Sequence, residues 1–197
     1  MSTPTTPLID ILKTQLSNNC NISQDELTFV LQHFSAKKFR KGEFIIKEGE
    51  YVRYDYFVGK GCLKAYALDD NGKESILQFA VEDWWISDYK AFWNETPASL
   101  SVDCLEDCEL FVITLADREK LCKEIHAIEN YFRKKSSAGY VALQQRILSL
   151  IKLNASERYE LFIKQYPDLL QRLPKQLIAG YLGVSRETLS RMHLKNS

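Results

Sequence analysis

The sequence predicts an α+β protein: an N-terminal antiparallel β-roll of the jelly-roll type, a long connecting helix and a small C-terminal helix-turn-helix domain. Three observations support this fold class. Short β-rich runs separated by turn residues occupy residues 39–114, a helical apolar stripe follows from Ile128, and helix-turn-helix spacing begins at Lys175. Short strands without long helices between them are typical of antiparallel sandwiches and jelly rolls.

Several runs in the first half are rich in β-branched and aromatic residues. They predict strands at 44–46, 54–58, 62–68, 75–79, 99–104 and 109–114. Asn71 and Gly72 tolerate positive φ, so residues 69–72 are predicted to form a hairpin turn. Two short helices at 9–16 and 24–34 precede the strands, and Ser23 is placed to cap the second.

Apolar or small residues recur in steps of three and four along the predicted long helix. They are Ile128, Phe132, Ser136, Gly139, Leu143, Ile147 and Leu150. The stripe has two interpretations, a seam between the long helices of a homodimer or burial against the protein's own β domain. We favour the homodimer, because two-fold dimers are the commonest assembly. The predicted organisation is a β-roll domain with leading helices at 1–125, a connecting and dimerisation helix at 126–154, and a helix-turn-helix domain at 155–197.

Basic and acidic side chains number 26 each, so the overall charge does not indicate a nucleic-acid partner. Residues 171–197 differ, because five basic side chains accompany a single acidic one, which predicts an anion-binding surface. No stretch approaches the roughly 18 apolar residues of a membrane span, and the start lacks a signal-peptide pattern. We therefore expect a cytoplasmic protein without membrane contact. The five cysteines have no framework spacing, which suits reduced thiols.

Residues 175–192 have the spacing of a helix-turn-helix. Ala179 is small where two helices cross, and Gly183 lies where the turn requires positive φ. The predicted apolar core consists of Ile178, Leu182, Val184, Leu189 and Met192. A helical hairpin with a solvated charged face is the alternative interpretation of this pattern.

In the helix-turn-helix interpretation, Ser185 caps the second helix and its first turns contact double-stranded DNA. Side chains at four positions would contact base edges, since Arg pairs with guanine and Glu accepts from cytosine. These are Arg186, Glu187, Ser190 and Arg191. Lys175, Gln176 and Thr188 are better placed for phosphates, which fix the register of the protein on DNA.

The run Leu-Gly-Val-Ser-Arg-Glu-Thr-Leu-Ser-Arg at 182–191 resembles the recognition motif of the Crp/Fnr family of bacterial transcription regulators. Lys41-Gly-Glu-Phe-Ile-Ile-Lys-Glu-Gly-Glu50, Gly59-Lys-Gly-Cys-Leu63 and Asn71-Gly-Lys-Glu74 are similar, in the same order, to the family's cyclic-nucleotide-binding-type β-roll. The resemblance implies a β-roll sensor, a dimer helix and a C-terminal DNA-binding domain, with RNA polymerase open as a further partner. It places Arg186, Glu187 and Arg191 at the family's base-contacting positions.

Two departures from the Crp/Fnr pattern concern the C-terminal half. The sequence stops six residues after Arg191, so we expect a helix-turn-helix without the β-hairpin wing that commonly follows the recognition helix. The predicted long helix is also shorter than the family's usual dimer helix, which leaves the half-site spacing open.

The resemblance also implies where a cyclic nucleotide would bind. The family's Gly-Glu pair, which holds the ribose, corresponds to Ser87-Asp88, and its Arg-Ser pair, which holds the cyclic phosphate, corresponds to Ala98-Ser99. Ala98 cannot supply the guanidinium fork that pairs with a buried phosphate. We therefore expect that the β-roll does not bind cAMP in the usual way. A cyclic nucleotide or another small effector bound in a remodelled pocket is the alternative.

The same segment is dense in aromatic side chains, namely Trp84, Trp85, Tyr89, Phe92 and Trp93. Two interpretations remain: a pocket for a flat or apolar effector, or rings that fill the former pocket as core, which we favour. The candidate effector-binding residues are Trp85, Ser87, Asp88, Tyr89, Ala98 and Ser99, and the effector itself stays unidentified.

Other function classes have little support in the sequence. No Gly-rich phosphate loop, nucleophile elbow or His-Glu zinc pattern occurs, so we expect no enzyme and assign no catalytic residue, cofactor or metal. Cys104 and Cys108 lie on strands joined by a short loop and could approach each other, although buried free cysteine is the favoured interpretation. A β-roll adaptor that binds protein without DNA is the remaining alternative.

Overall fold

The computed structural model describes residues 6–72 and 74–195. Contacts divide them into two compact units: residues 6–67 with 78–135, and residues 68–77 with 136–195. The predicted α+β fold with antiparallel sheets is confirmed.

The described residues contain eight strands: β1 (Ser35–Phe39), β2 (Phe44–Ile46), β3 (Asp55–Lys60), β4 (Leu63–Leu68), β5 (Glu74–Ala80), β6 (Trp85–Ile86), β7 (Ser101–Cys104) and β8 (Cys108–Ile113). They form two four-stranded sheets in the orders β1-β8-β3-β6 and β2-β7-β4-β5, and the pairings described are antiparallel. Eight strands in two sheets are the jelly-roll arrangement that the sequence predicts.

Six strands lie where the sequence predicts them, within two residues at each end. Strand β1 was not predicted, because Lys37 and Lys38 interrupt its apolar pattern, and it lies at a sheet edge, where charged side chains are common. Strand β6 has only two residues, too few to show alternation. The predicted turn at 69–72 forms, with Gly72 at φ 76°.

Alternation along β3 divides the first unit into two cores. Tyr56 and Val58 point between the two sheets, whereas Phe57 points to the opposite face. There it meets Phe111 of β8 and the apolar faces of the surrounding helices. These helices are α1 (Thr6–Asn19), α2 (Gln24–Leu31), α4 (Leu115–Glu124) and the start of α5 (His126–Lys152).

The remaining helices are α3 (Tyr89–Asn94), α6 (Ala155–Gln165), α7 (Leu169–Arg172), α8 (Lys175–Leu182) and α9 (Arg186–Lys195). Ser23 caps α2 as predicted, in a reciprocal capping box with Glu26. Helix α2 ends three residues earlier than predicted, because the chain turns there toward β1. No helix in the described part of the chain is long and apolar enough to cross a membrane.

The predicted apolar stripe on α5 is buried at the start of the helix and exposed farther along it. Ile128 and Phe132 are buried within the first unit, so burial against the protein's own domain accounts for these two. From Ser136 onward the stripe is exposed, including Leu143, Ile147 and Leu150. The absence of a wing stays a prediction, since the described residues end at Lys195.

Candidate nucleic-acid interface

The turn between α8 and α9 has the geometry that its sequence predicts. Gly183 adopts φ 66°, and its N–H donates to the carbonyls of Ala179 and Gly180 at the end of α8. The Val184 N–H donates to the Ala179 carbonyl at 3.0 Å, which completes a Schellman-type helix end. The left-handed residue thereby redirects the chain into α9.

The two helices pack through small and aliphatic residues. Ala179 is buried, which allows a close approach at that point of α8. Ile178, Leu182 and Leu189 are buried as predicted, and Val184 is half-buried. The side chain of Met192, the fifth predicted core position, lies outside the described residues.

The start of α9 is organised by Ser185. Its hydroxyl accepts from the Thr188 N–H at 3.2 Å and lies 3.1 Å from the Thr188 hydroxyl. The Arg191 guanidinium donates to that same hydroxyl at 3.4 Å. Thr188 is thus hydrogen-bonded within the helix.

The predicted base-contacting side chains lie on the exposed side of α9. Arg186, Glu187 and Arg191 are exposed, and Ser190 is half-buried. Hydrogen bonds from its own N–H and from Ser185 hold the pKa of the Glu187 carboxyl below its usual range. Glu187 is therefore ionised at neutral pH and can act only as an acceptor.

Lys175 and Gln176 occupy the first turn of α8 and are exposed. The residue before them, Pro174, makes no side-chain cap, and its carbonyl accepts from the Leu177 N–H at 3.0 Å, which leaves the Lys175 and Gln176 N–H groups for a ligand. A helix start with a lysine suits a phosphate oxygen.

The candidate effector residues fall into two groups. Asp88 and Ser99 are brought together, because one Asp88 oxygen accepts from the Ser99 N–H at 2.7 Å and from its hydroxyl at 3.0 Å. The other Asp88 oxygen accepts from the Ala91 N–H at 3.1 Å and caps α3. Ser87 donates to the Tyr54 carbonyl, and Ala98 is buried in the core between the sheets.

Trp85 and Tyr89 make different contacts from Asp88 and Ser99. Trp85 packs beside Phe57 and Phe132 in the helix-covered core, and its indole N–H donates to the Tyr131 hydroxyl at 2.9 Å. Tyr89 lies close to Asp55, a buried carboxyl that pairs with Arg118. Trp85 therefore packs as part of the core, which is the interpretation that we favour for the aromatic cluster.

The sequence is similar to a known domain family and to several bacterial regulatory proteins. The family model for the cyclic nucleotide-binding domain matches residues 36–125. The regulatory protein HlyX of Actinobacillus pleuropneumoniae is 25% identical over 195 residues, covering 88% of this chain and 80% of its own. The fumarate and nitrate reduction regulatory protein of Yersinia pestis is 26% identical over 198 residues, covering 88% and 77%.

The chain is similar to regulators of the Crp/Fnr family over most of its length. FixK2 from Bradyrhizobium japonicum has a similar fold, with a TM-score of 0.72 at 20% identity, over 82% of this chain and 83% of its own. The catabolite activator protein of Thermus thermophilus does so with a TM-score of 0.57 at 21% identity, over 92% and 85%. The segment matched by the cyclic nucleotide-binding domain model begins in β1 and ends at the C-cap of α4, Ile125.

Sequence reasoning missed the buried pair of Asp55 and Arg118. The two residues are 63 positions apart, so no local pattern joins them. The available signal was a lone carboxylate in the apolar strand 54–58, which requires a partner once buried.

Proposed function

We propose that this chain is a transcription regulator of the Crp/Fnr type that binds double-stranded DNA through α9. The observation that carries the proposal is the pair of exposed arginines, Arg186 and Arg191, beside Glu187 on a helix whose opposite side is buried at Leu189. These residue types hydrogen-bond to guanine and cytosine edges in the major groove. The names of the relatives, which are regulatory proteins, agree with this assignment.

Phosphate contacts at the start of α8 would orient α9. Lys175 supplies a positive charge, and Gln176 and the uncapped N–H groups supply donors. None of these groups distinguishes one base from another, so they contribute affinity and register. Ser185 and Thr188 keep the first turn of α9 in place through their mutual hydrogen bonds.

We further propose that α5 forms the seam of a homodimer. Beyond Ser136 the helix exposes large apolar side chains, namely Tyr140, Val141, Leu143, Ile147, Leu148, Leu150 and Ile151. Tyr140, Ile147 and Ile151 follow the steps of seven and four that keep one helix facing another. An apolar patch of this extent indicates an interaction surface, and an isologous dimer would present two copies of α9 to a two-fold DNA site.

We infer that the β-roll does not hold a cyclic nucleotide in the family's usual way. Asp88 accepts three hydrogen bonds from Ala91 and Ser99, and Ala98 offers no cation for a phosphate. A buried phosphate without a counter-charge is unfavourable. Calorimetric titration of the full chain with cAMP should give no saturable heat, and saturable binding would contradict this inference.

Selection from a pool of random duplexes tests the proposed function. The full-length protein should retain duplexes that share a two-fold symmetric motif, with an affinity that falls steeply as salt increases because phosphate contacts release counterions. Recovery of no common motif, or binding insensitive to salt, would contradict the proposal. Lys152→Gln, which removes an exposed charge from the last turn of α5, is the matched control and should select the same motif.

A further inference from the structure

A second feature of the second unit lies between α5, α6 and α8. These helices surround a cavity of about 350 Å³. Its volume is at the lower end of the range typical of small-molecule sites, roughly 300–1,000 Å³. The lining residues come from α5 (Ala142, Gln145, Arg146, Ser149), from α6 (Arg158, Leu161, Phe162, Lys164, Gln165) and from α8 (Tyr181).

The charged side chains around this cavity have a single sign. They are Arg146, Arg158 and Lys164, and no acidic side chain is among the lining residues. Across the described part of the chain, no ion pair joins any of the three to a carboxylate. The cavity therefore carries uncompensated positive charge.

Arg146 is held in place by Tyr181. Its guanidinium stacks 3.7 Å from the centre of the Tyr181 ring and donates to the Tyr181 carbonyl. Burial, together with the charge of Arg158, lowers the pKa of Arg146. An anion in the cavity would favour the charged form of Arg146, because its negative charge would offset both the burial of the guanidinium and the repulsion from Arg158.

Arg158 is fixed by two helix ends. Its Nε donates to the Leu182 carbonyl at 3.0 Å, and its Nη1 donates to the Leu153 carbonyl at 2.7 Å. Helix capping alone would explain these bonds, since cations stabilise helix C-termini. It does not explain the cavity that the guanidinium lines or the unpaired Lys164 beside it, and Nη2 makes none of the hydrogen bonds found for this group.

We propose that this cavity is a binding site for a small phosphate-bearing molecule. Two pre-positioned guanidinium groups match the oxygens of a phosphate, and Lys164 adds a third donor at the rim. The amides of Gln145 and Gln165 complete a polar lining for the remaining oxygens. Phe162 and Tyr181 supply the aromatic part of the lining.

The site is separate from the proposed dimer seam. Residues two apart on an α-helix lie about 200° apart around its axis. Ser149 lines the cavity, so Ile147 and Ile151 point away from it. A dimer formed through the exposed stripe of α5 would leave the cavity accessible.

Titration calorimetry of the full chain with pyrophosphate, at constant ionic strength, tests this site. We expect one pyrophosphate per protomer. Lys164→Gln removes an exposed charge at the rim of the cavity and should weaken binding about threefold. Arg146→Gln and Arg158→Gln should each weaken it at least about tenfold, because each removes hydrogen bonds to a charged group. Lys152→Gln loses the same charge outside the cavity and should bind as the unaltered protein does.

Three results would overturn the assignment. The first is no saturable binding of pyrophosphate, and the second is equal affinity for citrate, which would show a general anion site. The third is binding that survives Lys164→Gln but is lost in Lys175→Gln, which would place the anion at the start of α8. If either arginine variant fails to fold by circular dichroism, the pair Lys164→Gln and Lys152→Gln decides the question.

Discussion

The Arg118 guanidinium lies 2.5 Å from the Asp55 carboxylate, with the two side chains only 5% and 1% exposed. The Arg118 guanidinium also lies 4.2 Å from the centre of the Phe132 ring and 4.9 Å from that of Trp93. One buried cation therefore contacts a sheet, the short helix α3 and the start of α5. A buried ion pair adds little net stability, but the loss of one partner leaves an unpaired charge.

Arg118→Met should destabilise the protein by about 3 kcal/mol at pH 8, because it leaves the Asp55 carboxylate buried without its cation. Urea unfolding monitored by circular dichroism measures this change. The double variant Asp55→Leu with Arg118→Met should recover most of the loss, since no charge then remains buried. A loss well below about 1 kcal/mol in the single variant would mean that Asp55 is not paired as described.

The stability of the first unit should also depend on pH through Asp55. Burial raises the pKa of this carboxyl to about 7 despite the opposing effect of Arg118, compared with 3.8 when it is unburied. Between these values the folded state binds a proton that the unfolded state does not. The Asp55 contribution is therefore fully present below pH 4 and is lost as pH rises through about 7.

Urea midpoints at a series of pH values between about 4 and 8 test this sign. The unaltered protein should show a component that falls with rising pH and that is absent from Asp55→Asn. Identical pH profiles for the two proteins would contradict the assignment.

What the sequence predicts well in this chain is local. Ser23, Gly183 and the turn at 69–72 each act through residues at most five positions away, so residue type alone identifies them. Features that depend on distant segments were not predicted. Asp55 meets Arg118 only after α4 folds onto the sheet, and Trp85 contacts Phe132 across 47 positions.

The candidate sites show the same division. Exposure of Arg186, Glu187 and Arg191 follows from helical spacing, and the structure shows it. The engagement of Asp88 with Ser99 depends on how α3 meets the strand that follows, which spacing does not define. The cavity beside Arg146 and Arg158 requires three helices to converge, so no single motif indicates it.

The same substitution at two glycines of the helix-turn-helix should have opposite effects. Gly183 has φ 66° and open space where a Cβ would lie, so Gly183→Ala should cost about 1 kcal/mol from backbone strain alone. Gly180 lies inside α8 with only an ordinary contact to Ile76, so Gly180→Ala should stabilise by about 0.5–1 kcal/mol. Thermal unfolding followed by circular dichroism compares them, and equal shifts would argue against the turn geometry.

The exposed stripe of α5 predicts the oligomeric state. Ile147 and Ile151 are 57% and 72% exposed in the single chain, so they would be covered only by a partner. Ile147→Glu with Ile151→Glu should convert the dimer into a monomer of 22.8 kDa in light scattering after gel filtration. Gln145→Glu adds a charge on the opposite side of the helix and should remain dimeric. A dimer that survives both isoleucine changes would place the interface elsewhere.

Sequence discrimination by α9 tests the central proposal most directly. Fluorescence anisotropy gives the affinity of the full chain for a selected duplex and for a scrambled duplex of the same composition. Arg186→Ala and Arg191→Ala should each reduce this preference by about 1–3 kcal/mol, while Lys152→Gln leaves it unchanged. If both arginine variants retain the full preference for the selected duplex, the proposal that α9 contacts the bases is wrong.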